Sequence, residues 1–324
     1  MTVYIVRRLL WLPVVLFVVS VITLAMGLYG PGDPVQVMLG LRANREIVER
    51  VRHEYGLDQP FPIIYLNYVG NVLHGNFGYG LSRYNGQPVG SLIAERLPIT
   101  VQLNVLALGL GSIIGIPLGL ITGLKRNSWL DYLARFSSLT AISIPLLFLL
   151  PFLTFIFSRR HDIFIGTIDI PIGPLLPLVG GRWDGIFSTK VILPVFLESL
   201  GFIAVFTRQM RAGIIDTLGQ DYVRTARAKG LREQAVLFRH AMRNALIPIA
   251  TIIGLSLGAL VEGSFLVESW FGIPGVGQLA FVAFTSKEYY VVLAVTLLIA
   301  VAYVFSNLLV DFLYPILDPR IRRS

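Results

Sequence analysis

The chain contains no cysteine in its 324 residues. Disulfides, thiolate metal sites and a cysteine nucleophile are therefore excluded. Charge is scarce as well: 14% of residues are charged, where a soluble domain usually carries about 25%. No lysine directly follows a glycine, so a phosphate-binding Gly-x-x-x-x-Gly-Lys loop is absent, and ordinary nucleotide hydrolysis with it. The four histidines, His53, His74, His161 and His240, are far apart in the sequence. A metal site needs convergent ligands, so none is expected. Acid pairs such as Glu46 and Glu49 read as solvated helix faces.

What the chain does have is apolar length. It is 55% hydrophobic, with a mean hydropathy of +0.71. A membrane span needs ~20 mostly apolar residues. The stretches 9–29, 99–124, 132–157, 191–210, 245–266 and 289–314 meet or approach that length. The expected fold is an all-α integral membrane protein with six transmembrane helices. The formal charge of +8 raises nucleic acid as a partner. The cations collect between spans, however, so topology and membrane lipid account for them better. Arg7, Arg8, Lys125, Arg126, Arg135 and Arg320, Arg322 and Arg323 fall in short basic segments. Those segments belong on the cytoplasmic side, which puts both termini there. The first stretch, following Arg7 and Arg8, reads as a retained span and not a cleaved signal.

The expected organisation is a first helix (1–29), an external segment (30–98), a core of five spans (99–315) and a cytoplasmic tail (316–324). In the external segment Pro31-Gly32-Asp33-Pro34 ends the first helix. Residues 46–55 have helical spacing, with Ile47, Val48, Val51 and Tyr55 as the apolar face. A second short helix runs from about Asp58 through Leu73. Residues 75–90 read as irregular loop. Residues 159–185 read as extended and hairpin-like. The second span carries Gly109, Gly111, Gly115 and Gly119 around Pro117, read either as tight helix packing or as a kinkable pore-lining helix. Ile144-Pro145 in the third span leaves the same two readings open.

The densest charge lies in residues 211–244, between the fourth and fifth spans. Asp216 and Asp221 sit near the start of a helical run, where the helix dipole favours anions. Tyr222, Val223 and Ala226 form an apolar stripe, with Arg224 and Arg227 off it. Arg227 and Lys229 fall in the last turn and Gly230 caps it. A further run places Ala235, Phe238 and Met242 on one side. Basic residues here could serve topology alone. The Gly-broken amphipathic pair suggests instead a docking element for a soluble partner.

Two acids lie at membrane depth, Glu198 in the fourth span and Glu262 at the outer end of the fifth. Such acids are costly and face a bundle interior or water. Either a hydrogen-bonded, protonated carboxyl or a pathway-lining role fits. Beyond the fifth span, Glu268-Ser269-Trp270-Phe271-Gly272-Ile273-Pro274-Gly275-Val276-Gly277 cannot form one continuous helix. Irregular backbone at the membrane edge survives only where it is buried in protein or lines water. Glu268, Pro274 and Gly275 are thus gate candidates beside Glu198 and Glu262.

The segment Arg224-Thr225-Ala226-Arg227-Ala228-Lys229-Gly230, followed by His240, Arg243-Asn244 and Pro248, resembles the coupling loop of ABC-importer permeases of the dipeptide/oligopeptide/nickel branch. Arg224-Thr225-Ala226 stands where the broader family often has Glu-Ala-Ala, so no role is carried over for that glutamate. Gly32-Asp33-Pro34, Gly56-Leu57-Asp58, His74-Gly75-Asn76-Phe77-Gly78 and Pro98 with Thr100 resemble the external portion of the B-type subunit. The stretch 268–277 and the end of the chain, Asn307–Asp311 and Asp318–Arg322, match as well. The resemblance implies a non-enzymatic permease in a prokaryotic cell membrane, importing small peptides. Nickel complexes or oligosaccharides fall within the same class. It implies a heterodimer with a second permease, two ABC ATPase subunits carrying ATP and Mg, and an extracytoplasmic binding protein. This chain would bind no cofactor. The coupling contact would involve Tyr222, Arg224, Thr225, Ala226, Arg227, Ala228, Lys229, Gly230 and Leu231. A secondary transporter or channel would instead show repeats with paired broken helices or charge within several spans. A membrane enzyme would show acids, histidines or a nucleophile clustered at one face.

Overall fold

The computed structural model describes residues 2–30, 34–39, 44–54, 56–80, 83–84, 86–158, 161–165, 168–172 and 183–317. Asp33, Tyr55 and the 318–324 tail, with Arg320, Arg322 and Arg323, lie outside the described residues. The elements in order begin with α1 (Thr2–Tyr29), α2 (Pro34–Leu39), α3 (Arg45–Glu54) and α4 (Phe61–Leu73). Two longer stretches of helix follow: α5 (Val89–Leu124), then α6 (Trp129–Ser143) with α7 (Leu146–Ser158). Among the described residues the regular structure is helical except for a short two-stranded antiparallel hairpin, β1 (His161–Ile165) and β2 (Ile168–Ile172). It pairs His161 with Ile172 and Ile165 with Ile168. This is the hairpin-like stretch expected between the third and fourth spans. Next come α8 (Ile192–Leu218) and α9 (Asp221–Ala228), then α10 (Glu233–Ala235), a π-helical turn (Val236–Ala241) and α11 (Met242–Ala245). The chain ends in α12 (Ile247–Glu262), α13 (Phe265–Phe271), α14 (Val276–Thr285) and α15 (Tyr289–Leu317).

Three described helices are individually long and apolar enough to cross a membrane: Val89–Leu124, Thr189–Leu218 and Tyr289–Val310. The number rises to six only if each of three bent pairs is one span. This tally differs from the expected set in two places. It includes α13 with α14, bent by 87°, which the sequence suggested as irregular outer backbone. It does not count α1, of which Pro13–Tyr29 is a shorter apolar helix among the described residues. The expected third span, 132–157, is not a straight rod either, because α6 and α7 meet at 109° around Ile144-Pro145. Proline disfavours helix in the residue before it, and Ile144 is extended accordingly.

Two helices overrun their expected limits. α5 starts at Val89, ahead of residue 99, and holds Pro98 and Pro117 within its 36 residues. At the helical rise it is about 54 Å long, well beyond the ~30 Å hydrocarbon core. Its first turns pack against α14 and α15, where Val89, Leu92 and Ile93 meet Val276, Leu279 and Val291. α8 likewise continues past Met210 to Leu218. Asp216 thus ends a long helix, and Asp221 alone opens the next one.

α5 and α8 share the most extensive helix pairing of the described residues. Their sequences explain it. Gly111, Gly115, Gly119 and Gly123 recur every fourth residue on α5, and small residues let helix backbones approach. A Cβ on Gly115 would come 2.8 Å from the Ile203 carbonyl oxygen, and one on Gly119 would come 2.5 Å from that of Thr207. Gly109, off this stripe, has open space. Thr207 donates from Oγ1 to the Gly115 carbonyl at 3.3 Å across the contact.

The remaining elements are packed around this pair. α4 covers the junction of α1 and α15, where Phe61, Ile64, Tyr65 and Tyr68 meet Leu24, Tyr289 and Leu293. Ser20 Oγ and Tyr65 OH are hydrogen-bonded at 2.9 Å. The described residues between 75 and 88 are irregular as expected, apart from a bridge between Tyr79 and Pro88. In α3, Val48 is the buried residue, on the face the sequence suggested. His53 Nδ1 and Asp58 Oδ2 lie 2.6 Å apart. That contact raises the histidine pKa and lowers the aspartate's.

Introducing a bulky side chain on the glycine stripe is expected to force α5 and α8 apart. Gly119→Leu should cost roughly 1–3 kcal/mol, the usual range for overpacking, and lower the thermal transition of the purified assembly. Gly109→Ala should leave that transition unchanged.

Candidate functional site

The loop after α8 is built by local rules. Asp221 lies in the first turn of α9 and Arg227 in its last, each complementing the helix dipole. Gly230 has φ +74°. Its amide donates to the Arg227 carbonyl at 2.9 Å, and the Leu231 amide donates to that of Ala226 at 3.4 Å. Those two bonds form the Schellman closure that a left-handed glycine permits. Just past the turn, Arg227 Nη2 and Nε donate to Glu233 at 2.6 and 3.1 Å. The arginine holds the Glu233 carboxyl below its ordinary range. Such a pair contributes above the unfolded-state carboxyl pKa and is lost only as pH falls through the lowered folded value. It is therefore fully formed at neutral pH.

The residues expected to make the coupling contact divide into two groups. Ala226 is buried, and with Val223 and Val236 it forms a small core under the turn against Leu218. The Val223–Ala226 stripe is thus spent on holding the loop together and is not open to a partner. Arg224, Thr225, Arg227, Ala228, Lys229, Gly230 and Leu231 are exposed. Tyr222 is also exposed, and its hydroxyl accepts from Asn244 Nδ2 at 2.7 Å. Of the second expected face, Phe238 is 54% exposed, whereas Ala235 and Met242 are half-buried.

A neighbouring buried ion pair was not anticipated from the sequence. Asp131, fully buried in the first turn of α6, accepts from Arg211 Nε at 2.5 Å and Nη2 at 3.0 Å. Arg135 lies 3.2 Å from the same carboxylate, and the Asn127 amide donates to it at 2.9 Å. Ser128 caps α6 by accepting from the Asp131 amide. The available signal was an acid three residues after a serine, a helix-start pattern, set alone in a basic stretch. The pair fastens α6 to the last turns of α8, immediately before α9.

The five gate candidates belong to two places. Glu198 and Glu262 line one cavity of about 290 Å³ with Asn104 and Ser264. Glu198 also borders a groove of about 580 Å³ that runs to Pro145 and Arg208. Glu268, Pro274 and Gly275 line neither. Glu268 is fully buried. It accepts from Thr100 Oγ1 at 2.9 Å and the Gln278 amide at 2.8 Å. Thr100 Oγ1 in turn accepts from the Val276 amide at 2.7 Å. A Cβ on Gly263 would lie 2.7 Å from the Glu268 carboxylate. Gly275 and Gly277 crowd the same group. Glycine is needed here so that backbone can close on a carboxylate, and the arrangement is a clasp between α5 and the α13–α14 break.

Among the described residues no group of acids and histidines could hold a metal ion. Gly254-Leu255-Ser256-Leu257-Gly258 does fit a nucleophile-elbow spacing. That motif works only at a strand-to-helix turn, whereas here it lies within α12. Ser256 Oγ donates to the Ile252 carbonyl at 2.8 Å.

Two expectations follow from this geometry. Ala226→Leu should overpack the small core and destabilise the loop, seen as faster amide hydrogen exchange over 221–236. Leu231→Ala, on the exposed side, should leave exchange unchanged. Asp131→Asn leaves Arg211 without its counter-ion, a break that costs about 3–5 kcal/mol when fully buried and less here because Arg211 is partly exposed. A lower melting temperature of the purified assembly, partly restored by adding Arg211→Met, is the expected result.

Comparison with known proteins extends over nearly the whole chain. Residues 115–323 match the family described as the inner membrane component of binding-protein-dependent transport systems. Residues 1–104 match that family's N-terminal component. The chain is 36% identical over 323 residues to the oligopeptide transport system permease protein AppB of Bacillus subtilis, covering 99% of each. It is 36% identical over 320 residues to the glutathione transport system permease protein GsiC of Escherichia coli K12, covering 98% of each. With both parts of the family matched in order, the chain belongs to the binding-protein-dependent transport system inner membrane components, as a multi-pass permease subunit of an ABC importer.

Proposed function

We propose that this chain is the B-type half of a heterodimeric permease that imports small peptides across a prokaryotic cell membrane. In this reading it crosses the membrane six times with both termini cytoplasmic, and α2–α4 form an external cap. Two ATPase subunits bind ATP and Mg and dock on the α9 loop, while an extracytoplasmic protein delivers substrate. The substrate class is suggested by the oligopeptide and glutathione transporters named above.

The observation that carries the coupling role is the loop's construction. Val223, Ala226 and Val236 are consumed internally, its turn is closed at Gly230, and Leu231 is left 43% exposed among cations. A folded knob with an apolar tip suits insertion into a cleft on a moving partner. Closure of the ATPases would displace the knob and the long helix α8 from which it descends. The membrane helices would then exchange access from one side to the other. The two sites are coupled because each biases the same bistable arrangement.

Leu231→Cys tests the docking directly. The chain has no native cysteine, so one introduced thiol provides the only cross-linking point on it. In the assembled importer it should cross-link to an ATPase subunit, and nucleotide should change the yield. Gly230→Val should leave assembly intact and uncouple ATP hydrolysis from uptake. A Leu231→Cys thiol that reaches no ATPase in any nucleotide state would sink the reading.

A further inference from the structure

α8 carries two charged residues on the 580 Å³ groove, Glu198 and Arg208. The rest of its lining is chiefly apolar, including Ile142, Leu149, Val205 and Ile252. Ser264 hydrogen-bonds the Glu198 carboxyl, but Oε2 is buried without a hydrogen-bond partner among the described residues. Arg208 makes no ion pair or hydrogen bond with any described residue. The contrast with Arg211, one turn away, is informative. Arg211 is fully engaged by Asp131, so this fold pairs its charges where they only hold structure. Unpaired opposite charges within one membrane helix are costly, and they usually mark a substrate or ion path.

Their spacing excludes mutual neutralisation. Glu198 and Arg208 are about 15 Å apart along the α8 axis by the helical rise. Glu198 is half-buried and Arg208 exposed on the groove, and side chains of their length leave a gap of roughly two to four extended residues between the charges. The Glu198 end is reinforced by the C-terminus of α12. Ala259, Leu260 and Glu262 line the adjoining cavity, and the last carbonyls of a helix carry partial negative charge. No basic residue lines that cavity.

We propose that this groove binds a short peptide by both free termini, its ammonium at Glu198 and its carboxylate at Arg208. This inference rests on the peptide-import reading and adds a substrate site within the permease itself. Low-dielectric walls strengthen each contact, and the fixed separation of the charges favours peptides of a few residues. Amines without a carboxylate, or the reverse, would satisfy only one end. Glu262, at the rim of the adjoining cavity, would draw the ammonium inward.

The test uses the complete importer in proteoliposomes with its binding protein, and labelled trialanine as the probe. Glu198→Gln and Arg208→Gln should each reduce uptake about tenfold in correctly assembled complexes. Glu198→Asp and Arg208→Lys, which keep the charge, should restore at least about a third of it. Wild-type uptake by either neutral variant overturns the proposal. So does equal failure of the charge-keeping variants, which would mean a packing role. Failure of the wider reading is separately visible: the wild-type assembly would then hydrolyse ATP and import no peptide at all.

Discussion

At Gly115 and Gly119 nothing but backbone separates α5 from α8, and the organisation of the chain rests on that approach. Phe206 and Met210 of α8 are fully buried there, and Thr207 bonds across it. In a bilayer no hydrophobic gain rewards helix association, so close van der Waals contact has to supply the attraction. A helix held along its backbone moves as a unit. The remaining elements attach to that unit: α6 through Asp131 and Arg211, the α13–α14 break through Thr100 and Glu268. Both attachments use buried carboxylates that accept a hydrogen bond at each oxygen, which fixes geometry as well as proximity.

The parts of this architecture that were legible in the sequence are those governed by neighbours in the chain. Gly230 after a basic last turn announced its own Schellman closure. α3 and α4 fell close to their expected limits, because caps, prolines and periodicity act over a few residues. Three of the four flagged glycines of the second span lie on the α8 contact. Gly109 does not, and Gly123, which does, was passed over because the stripe's phase is set by a partner helix.

What escaped was decided at a distance. Hydropathy suggested one span over 132–157, and it registers composition without direction. The 109° turn at Ile144-Pro145 leaves composition untouched. The stripe of Val223 and Ala226 was correctly seen as apolar, but its cover from within the chain was not, since Val236 supplies it from beyond the turn. Glu268 and Glu198 were both gate candidates in the sequence. One is bonded by a threonine and a backbone amide, while the other has an oxygen left over. Only the tertiary arrangement separates a clasp from a lining group.

The Glu268 clasp has one more consequence. Thr100 lies in the same helix whose glycines are seated on α8, and α8 leads straight into the knob at α9. Under the proposed docking of the α9 loop, handle and jaw would be two ends of one stiff tool, as in a pair of pliers. Force applied at the grip would then need no relay of rearranging residues to arrive at the bite, and softening any rivet between them would make the jaw lag the hand.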